Sequence, residues 1–189
     1  HGEFAGKNIL RQLRPLAETA AQCGLAPEAA EERLLRAVDR LRVVRSGRPR
    51  PHLDDKIITA WNGLAISALA KAARVLGEPV YAQAAERAAE FVCRELFDEK
   101  NGRLYRSFRE GRGAAEGFAE DHAFLIEGLI DLYEATFKTR WLAWALCLQE
   151  RMDGLFWDEA AGGYFSASEG RAEIELRLKE EYDGAEPAA

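Results

Sequence analysis

Cysteine is scarce and poorly placed for chemistry. Only three stand among 189 residues, and Cys23, Cys93 and Cys147 lie too far apart for a redox motif or a zinc knuckle. Cys93 and Cys147 fall inside helical patterns, where a free thiol behaves as a small hydrophobe. Reduced thiols, and so a cytoplasmic chain, are the expectation. Long apolar runs are missing too. The richest stretch, Ile57 to Leu76, is broken by Asn62, Ser67, Lys71 and Arg74, which excludes a membrane span, and no signal peptide is legible. Positive charge is in deficit, with 26 Lys and Arg against 32 Asp and Glu for a net charge of −6. That sign argues against a nucleic-acid partner. P-loop, dinucleotide fingerprint and nucleophile elbow are all absent, so the sequence implies no cofactor. The chain opens on His1-Gly2-Glu3 rather than methionine, and a piece of a longer protein is expected.

What is present is helix-forming material with ample apolar content, 48% hydrophobic against 31% charged, enough to bury a core. Leu13, Leu16, Ala17 and Ala20 share one side of the first segment. Pro27 suits a first helical turn, and Leu34, Leu35, Val38 and Leu41 make an apolar stripe behind it. The arginines among residues 33–45 share that helix with Glu28, Glu31, Glu32 and Asp39, which reads as a solvated, salt-bridged face. After the helix-breaking Arg48-Pro49-Arg50-Pro51, a helix is expected from Asp54 or Asp55 to Leu76. It is apolar nearly all round, so it is buried on more than one side. The next, Pro79 to Leu96, is apolar on one face only and belongs outside.

The sequence then repeats at an interval of about 60 residues. Asp98-Glu99-Lys100-Asn101-Gly102 returns as Asp158-Glu159-Ala160-Ala161-Gly162, and the same spacing pairs Ile66 with Ile126, Leu69 with Leu129 and Ala85 with Ala145. Such a period marks stacked supersecondary units. Each reads as inner helix, outer helix and a short β-hairpin-like excursion (102–108 and 162–167). The expected fold is all-α, part of an (α/α)6 toroid, with an open solenoid of helix pairs as the competing arrangement. Residues 1–47 would supply leading helices, and 48–189 two repeated helical-hairpin units.

In a ring of this kind the inner helices run parallel and begin at one rim. The first starts near His52, Asp54, Asp55 and Lys56, the second at Glu120, Asp121 and His122, and Asp183 with Glu186-Pro187 stands where a third would begin. An acid before a helix is a favoured cap, but only one member of each pair can serve so. The other member of Asp54/Asp55 and of Glu120/Asp121 is expected to face a pocket and act as acid or base. Trp61 and Asn62 would line the cavity beneath, with His52, Lys56, His122, Asp183 and Glu186 as further ligand-binding candidates; His52 and His122 could also act as acid or base near neutral pH, although a histidine near a helix start reads first as a structural hydrogen-bonder. Gly63 is out of place in a helix interior, where glycine costs about 1 kcal/mol against alanine; close packing or ligand approach must offset it. No metal site is demanded.

Several runs resemble a known family. Arg48-Pro49-Arg50-Pro51-His52-Leu53-Asp54-Asp55-Lys56-Ile57-Ile58-Thr59-Ala60-Trp61-Asn62-Gly63-Leu64 is similar to the signature of the thioredoxin-domain-containing family that includes spermatogenesis-associated protein 20. Glu120-Asp121-His122-Ala123-Phe124-Leu125-Ile126-Glu127-Gly128-Leu129, Tyr182-Asp183-Gly184-Ala185-Glu186-Pro187 and Gly6-Lys7-Asn8-Ile9-Leu10 fit the same pattern. The departures are Glu120 and His122, where the family has a second Asp and an aromatic. The resemblance implies a large protein in which an N-terminal thioredoxin-like domain precedes a six-hairpin, glycosidase-like toroid similar to N-acylglucosamine 2-epimerases. This chain would be a central slice of the toroid. The expected function is binding or modification of a sugar-like ligand by epimerase-, isomerase- or hydrolase-like chemistry; the alternative is a non-catalytic scaffold accompanying the thioredoxin-like domain. Apolar inner-helix faces left open at the cut ends would favour self-association.

Overall fold

The structure, a computed structural model, describes residues 11–169, 175–179 and 184. The chain divides into two compact units, 1–53 and 54–189. In the first, α1 (Leu16–Gln22) stops at Gly24, whose φ of +65° turns the chain. Pro27 then opens α2 (Pro27–Ser46), because its missing N–H is one that a first turn leaves unbonded in any case. Glu32–Arg36 and Asp39–Arg42 pairs decorate α2, while Leu34, Leu35, Val38 and Leu41 remain about half exposed.

The second unit holds two helical hairpins. Strand β1 (Ile57–Ile58) leads into α3 (Thr59–Leu76), and α4 (Pro79–Phe91) returns along it, its last turn widening into a π-helical segment, Val92–Leu96. Short strands β2 (Phe97–Asp98), β3 (Arg103–Leu104) and β4 (Ser107–Phe108) follow, then α5 (Ala119–Thr136) and α6 (Thr139–Phe156). β2 pairs antiparallel with β3, and β4 crosses to pair antiparallel with β1, Ile57 opposite Phe108 and Ile58 opposite Ser107. Among the described residues the second excursion keeps an isolated bridge between Trp157 and Tyr164.

α3 and α5 lie side by side and parallel, since their contacts ascend together: Ala60 with Asp121, Ser67 with Asp131, Arg74 with Glu134. α4 and α6 pack behind them. The core between these layers is built on Ile66, Val92, Leu96, Leu125, Leu129, Leu148 and Phe156, each fully buried. Gly63 has its explanation here. A Cβ placed on it would sit 2.5 Å from the Leu125 nitrogen and the Phe124 carbonyl oxygen, and one on Gly128 would sit 2.5 Å from the Gly63 carbonyl oxygen. The two inner helices therefore touch backbone to backbone, and the dispersion and hydrogen bonding gained there offset glycine's poor helix propensity.

The repeat survives at the level of the backbone. The Thr59 N–H donates to the Arg106 carbonyl at 2.9 Å, and the Ala119 N–H to the Ser166 carbonyl at 3.0 Å. Each excursion thus folds back onto the start of its own inner helix. At the far end α3 closes on Gly77 at φ +70° and α5 on Phe137 at φ +55°, the same position in the two units. Among the described residues no helix is long and apolar enough to cross a membrane.

Candidate functional site

The inner helices do start at one end, but α3 starts later than its sequence suggests. Asp54 and Asp55 precede β1 rather than open the helix, because Ile57 and Ile58 are β-branched and find a partner strand in Ser107–Phe108. Neither acid caps α3. Ile58 occupies the N-cap without a side-chain bond. Asp54 instead turns locally onto Lys56, accepting its backbone N–H at 3.4 Å and pairing with its ammonium at 3.3 Å. The Lys56 side chain holds the Asp54 carboxyl below the ordinary carboxylate value. Asp55 pairs with the Arg109 guanidinium at 2.7 Å, and about half of its side chain stays exposed.

The acid that caps α3 comes from α5. Asp121 is fully buried; one carboxylate oxygen accepts the Ala60 N–H of α3 at 3.0 Å, and the other accepts the Phe118 N–H at the start of α5 at 2.9 Å. One side chain thereby satisfies an unpaired backbone donor on each inner helix and ties the two starts together. Arg106 approaches the second oxygen at 3.3 Å but lies closer, at 2.6 Å, to Glu120. Burial pushes the Asp121 carboxyl above its usual value despite the Phe118 N–H, the Arg106 charge and the Ala60 N–H, which all favour the carboxylate. Burial also works against the Arg106 charge, yet Glu120 and Asp121 outweigh it and move that group up.

Glu120 differs from its neighbour. A quarter of its side chain is exposed, and its guanidinium partner also stacks over the Phe118 ring at 4.9 Å. His122 is buried; its Nδ1 lies 3.0 Å from the Phe118 carbonyl and its ring meets Phe156 edge-on. Trp61, in the first turn of α3, is 54% exposed. Asn62 donates from Nδ2 to the Ile58 carbonyl at 2.8 Å, which leaves its amide oxygen as the acceptor. Thr59 is buried and donates its hydroxyl to the Tyr105 carbonyl.

Asp54, Asp55, Lys56, Trp61, Asn62, Glu120, Asp121 and His122 therefore share one end of the second unit. His52 belongs to the first unit. Asp183 and Glu186 lie outside the described residues. Sequence reasoning overlooked Arg106 and Arg109, whose guanidinium groups hold Glu120 and Asp55. The repeat could not flag them, because Ser166 and Glu169 stand at the matching places. Among the described residues no cluster of three or more His, Cys, Asp or Glu is arranged to hold a metal ion.

No family model matches the chain. Spermatogenesis-associated protein 20 of Homo sapiens is 44% identical over 197 residues, a match that takes in all of this chain and 25% of that protein. The chain thus spans about a quarter of the length of the curated relatives it matches. Among solved structures, a cellobiose 2-epimerase from Bacillus thermoamylovorans superposes with a TM-score of 0.55 at 22% identity, over 61% of this chain and 30% of that one. A GH76 α-mannanase from Bacteroides thetaiotaomicron superposes with a TM-score of 0.56 at 15% identity, over 63% and 34%. The fold is accordingly all-α, a portion of an (α/α)6 toroid. Along its entire length, the chain is similar in sequence to one quarter of spermatogenesis-associated protein 20.

Proposed function

We propose that the end at which α3 and α5 begin is one wall of a carbohydrate pocket, in a protein that modifies sugars by acid–base chemistry of the epimerase, isomerase or hydrolase kind. One observation carries this reading: two carboxylate–guanidinium pairs, Asp55 with Arg109 and Glu120 with Arg106, keep solvent access at the end that also presents the half-exposed indole of Trp61. Carboxylates accept hydrogen bonds from sugar hydroxyls, guanidinium groups donate to ring and hydroxyl oxygens, and an indole face covers the apolar side of a pyranose. In this proposal Glu120 and Asp55 are the acid–base candidates. Asp54, Lys56, Trp61 and Asn62 bind the ligand, while Asp121 and His122 position the helix starts from beneath. The names of the structural relatives, a cellobiose 2-epimerase and an α-mannanase, suggest the sugars to try first.

A second reading rests on the same pairs. Each rim acid already has a partner and Asp121 has three, which suits a non-catalytic scaffold that accompanies a thioredoxin-like domain. The proposed compartment in either case is the cytoplasm, in keeping with the free thiols of Cys23, Cys93 and Cys147.

Thermal shift with cellobiose and with α-mannan oligosaccharides separates the two readings. A sugar held at 100 times its Kd stabilises by about 2.7 kcal/mol. The shift is expected in the natural chain and should be lost in Glu120→Gln and in Trp61→Ala. No shift with either sugar, or an equal shift in both variants, rejects the pocket and leaves the scaffold.

A further inference from the structure

The two outer helices of the second unit stand apart along part of their length. Lys138–Glu86 and Arg140–Glu90 pairs, each at 2.6 Å, tie α6 to α4. Next to the second pair lies an open recess of about 700 Å³, walled by α4, its π-helical end, the β2–β3 turn, Arg112 and α6. Among the described residues α3 and α5 contribute nothing to it, and both helices that bound it belong to this unit.

The α4 wall is irregular in a way the repeat does not require. Val92–Leu96 is π-helical and carries Cys93 and Arg94 to the recess, whereas the matching residues of α6, 152–156, remain α-helical. Such widenings are rare and are frequent at functional sites. The floor is aromatic, with Phe97 and Trp144 meeting edge-on at 5.8 Å beside Trp141. Trp141 is only 3% exposed. Its Nε1 and that of Trp144 are both buried and have no hydrogen-bond partner among the described residues. A buried indole N–H normally has an acceptor, so this floor holds two donors that a ligand could satisfy.

Charge around the recess runs against that of the chain. Arg94, Lys100, Arg112 and Arg140 stand there with Glu90, Asp98 and Glu99, four cations against three carboxylates in a chain of net charge −6. Glu90 is held by Arg140, and Asp98 accepts the Lys100 N–H and the Asn101 amide. Arg112 donates to the Glu95 and Phe97 carbonyls, contacts that leave its charge unneutralised. We propose that the recess binds a small organic anion, a carboxylate carried on an aromatic or apolar body. The body lies on Phe97 and Trp144. The carboxylate answers the excess positive charge and supplies acceptors to the indole N–H groups. Arg140 covers the Trp141 ring at 4.0 Å as a half-exposed side chain; the ligand offers it a second anion, which draws it off the ring and opens the way to the buried N–H. None of this rests on what the rim binds.

Indole N–H signals are the test. The chain has four tryptophans, so a proton–nitrogen correlation spectrum shows four such signals, and Trp141→Phe and Trp144→Phe identify two of them. Benzoate, 4-phenylbutyrate and 1-naphthaleneacetate are the probes, each compared with its neutral amide. At least one carboxylate is expected to move the Trp141 and Trp144 signals downfield in a saturable titration. It should bind about tenfold more tightly than its amide, the factor that a hydrogen bond to a charged group supplies. Lys100→Gln, at an exposed turn position, should weaken the carboxylate severalfold and leave the amide unchanged. Trp144→Phe keeps an aromatic floor but removes one donor, and should also weaken binding. The proposal is overturned if none of the three carboxylates moves these two signals, if amide and carboxylate bind equally, or if the shifts are confined to Trp61 and Trp157. Should circular dichroism find Trp144→Phe unfolded, Lys100→Gln and the amide comparison decide the matter, and a carboxylate that binds Lys100→Gln as tightly as the natural chain rejects the assigned site.

Discussion

Gly63→Ala is a one-methyl change whose sign is opposite to what helix propensity alone implies. In an isolated helix the alanine gains about 1 kcal/mol. Here the new Cβ would sit 2.5 Å from the Phe124 carbonyl oxygen and the Leu125 nitrogen, where ordinary contact begins at 3.4 Å. Those atoms are backbone and cannot rotate aside, so α3 and α5 must part by about 1 Å, the difference between the two distances. The hydrogen bonds that straddle the glycine, Ala60 to Asp121 and Ser67 to Asp131, then lengthen from 3.0 and 2.6 Å. Overpacking of this kind costs about 1–3 kcal/mol or more, and each strained bond to a carboxylate forfeits part of its roughly 1.5–3 kcal/mol. After the propensity gain is subtracted, a net loss of about 3 kcal/mol is expected, or about 6–12 °C in Tm for a chain of this size. Gly154→Ala is the control. Gly154 is also inside a helix, but a Cβ there would meet nothing within 4 Å, so this variant should gain about 0.5–1 kcal/mol. Thermal and urea melts followed by far-UV circular dichroism read both. A Gly63→Ala chain as stable as the natural one, with Gly154→Ala behaving as stated, would falsify the backbone-contact account of this glycine.

Three other outcomes follow from particular residues. Phe137→Gly should raise stability by about 1 kcal/mol in urea melts, because a 78% exposed phenylalanine at φ +55° holds a left-handed conformation that Gly77 occupies without strain in the first hairpin; a loss would mean that its ring contact with Tyr133 outweighs the backbone term. Asp121→Ala leaves the Ala60 and Phe118 N–H groups without their acceptor and should cost about 2–5 kcal/mol, whereas Glu120→Gln, at a partly exposed surface pair, should change stability by less than about 1 kcal/mol; equal effects would contradict the division of labour between the two acids. Because burial raises the Asp121 carboxyl above 3.8, the folded state holds its proton more tightly than the unfolded chain does. Its stabilising share is full below 3.8 and fades as pH rises through the elevated value. The stability of the natural chain relative to Asp121→Asn should therefore fall between pH 3.5 and 7, and a flat or rising difference would show that the N–H and Arg106 contacts dominate instead.

Much of the fold was legible in the chain because periodicity reports directly on burial. The repeat from Ile66 to Ile126 and from Ala85 to Ala145, and the contrast between helices apolar all round and helices apolar on one side, are consequences of which faces must leave water. The oddity of Gly63 was visible too, as a local propensity violated without local reward. The start of α3 was misjudged because Asp54 and Asp55 look like caps in isolation, while the decision lay with Ser107–Phe108, a partner strand some 50 residues on in the register β1–β4.

The candidate site divides along the same line. Sequence by itself placed Glu120 and Asp121 in the first turn of α5, where the helix dipole and unpaired N–H groups favour acids. It could not say which acid would be consumed. That was decided by tertiary structure: parallel packing set by two facing glycines put Asp121 within reach of two helix starts at once, while Arg106 and Arg109, which flank the strand β4 that pairs back with β1, claimed Glu120 and Asp55. Capping is a property of a segment and can be read locally. Sharing one carboxylate between two helices is a property of their separation, which no single segment encodes.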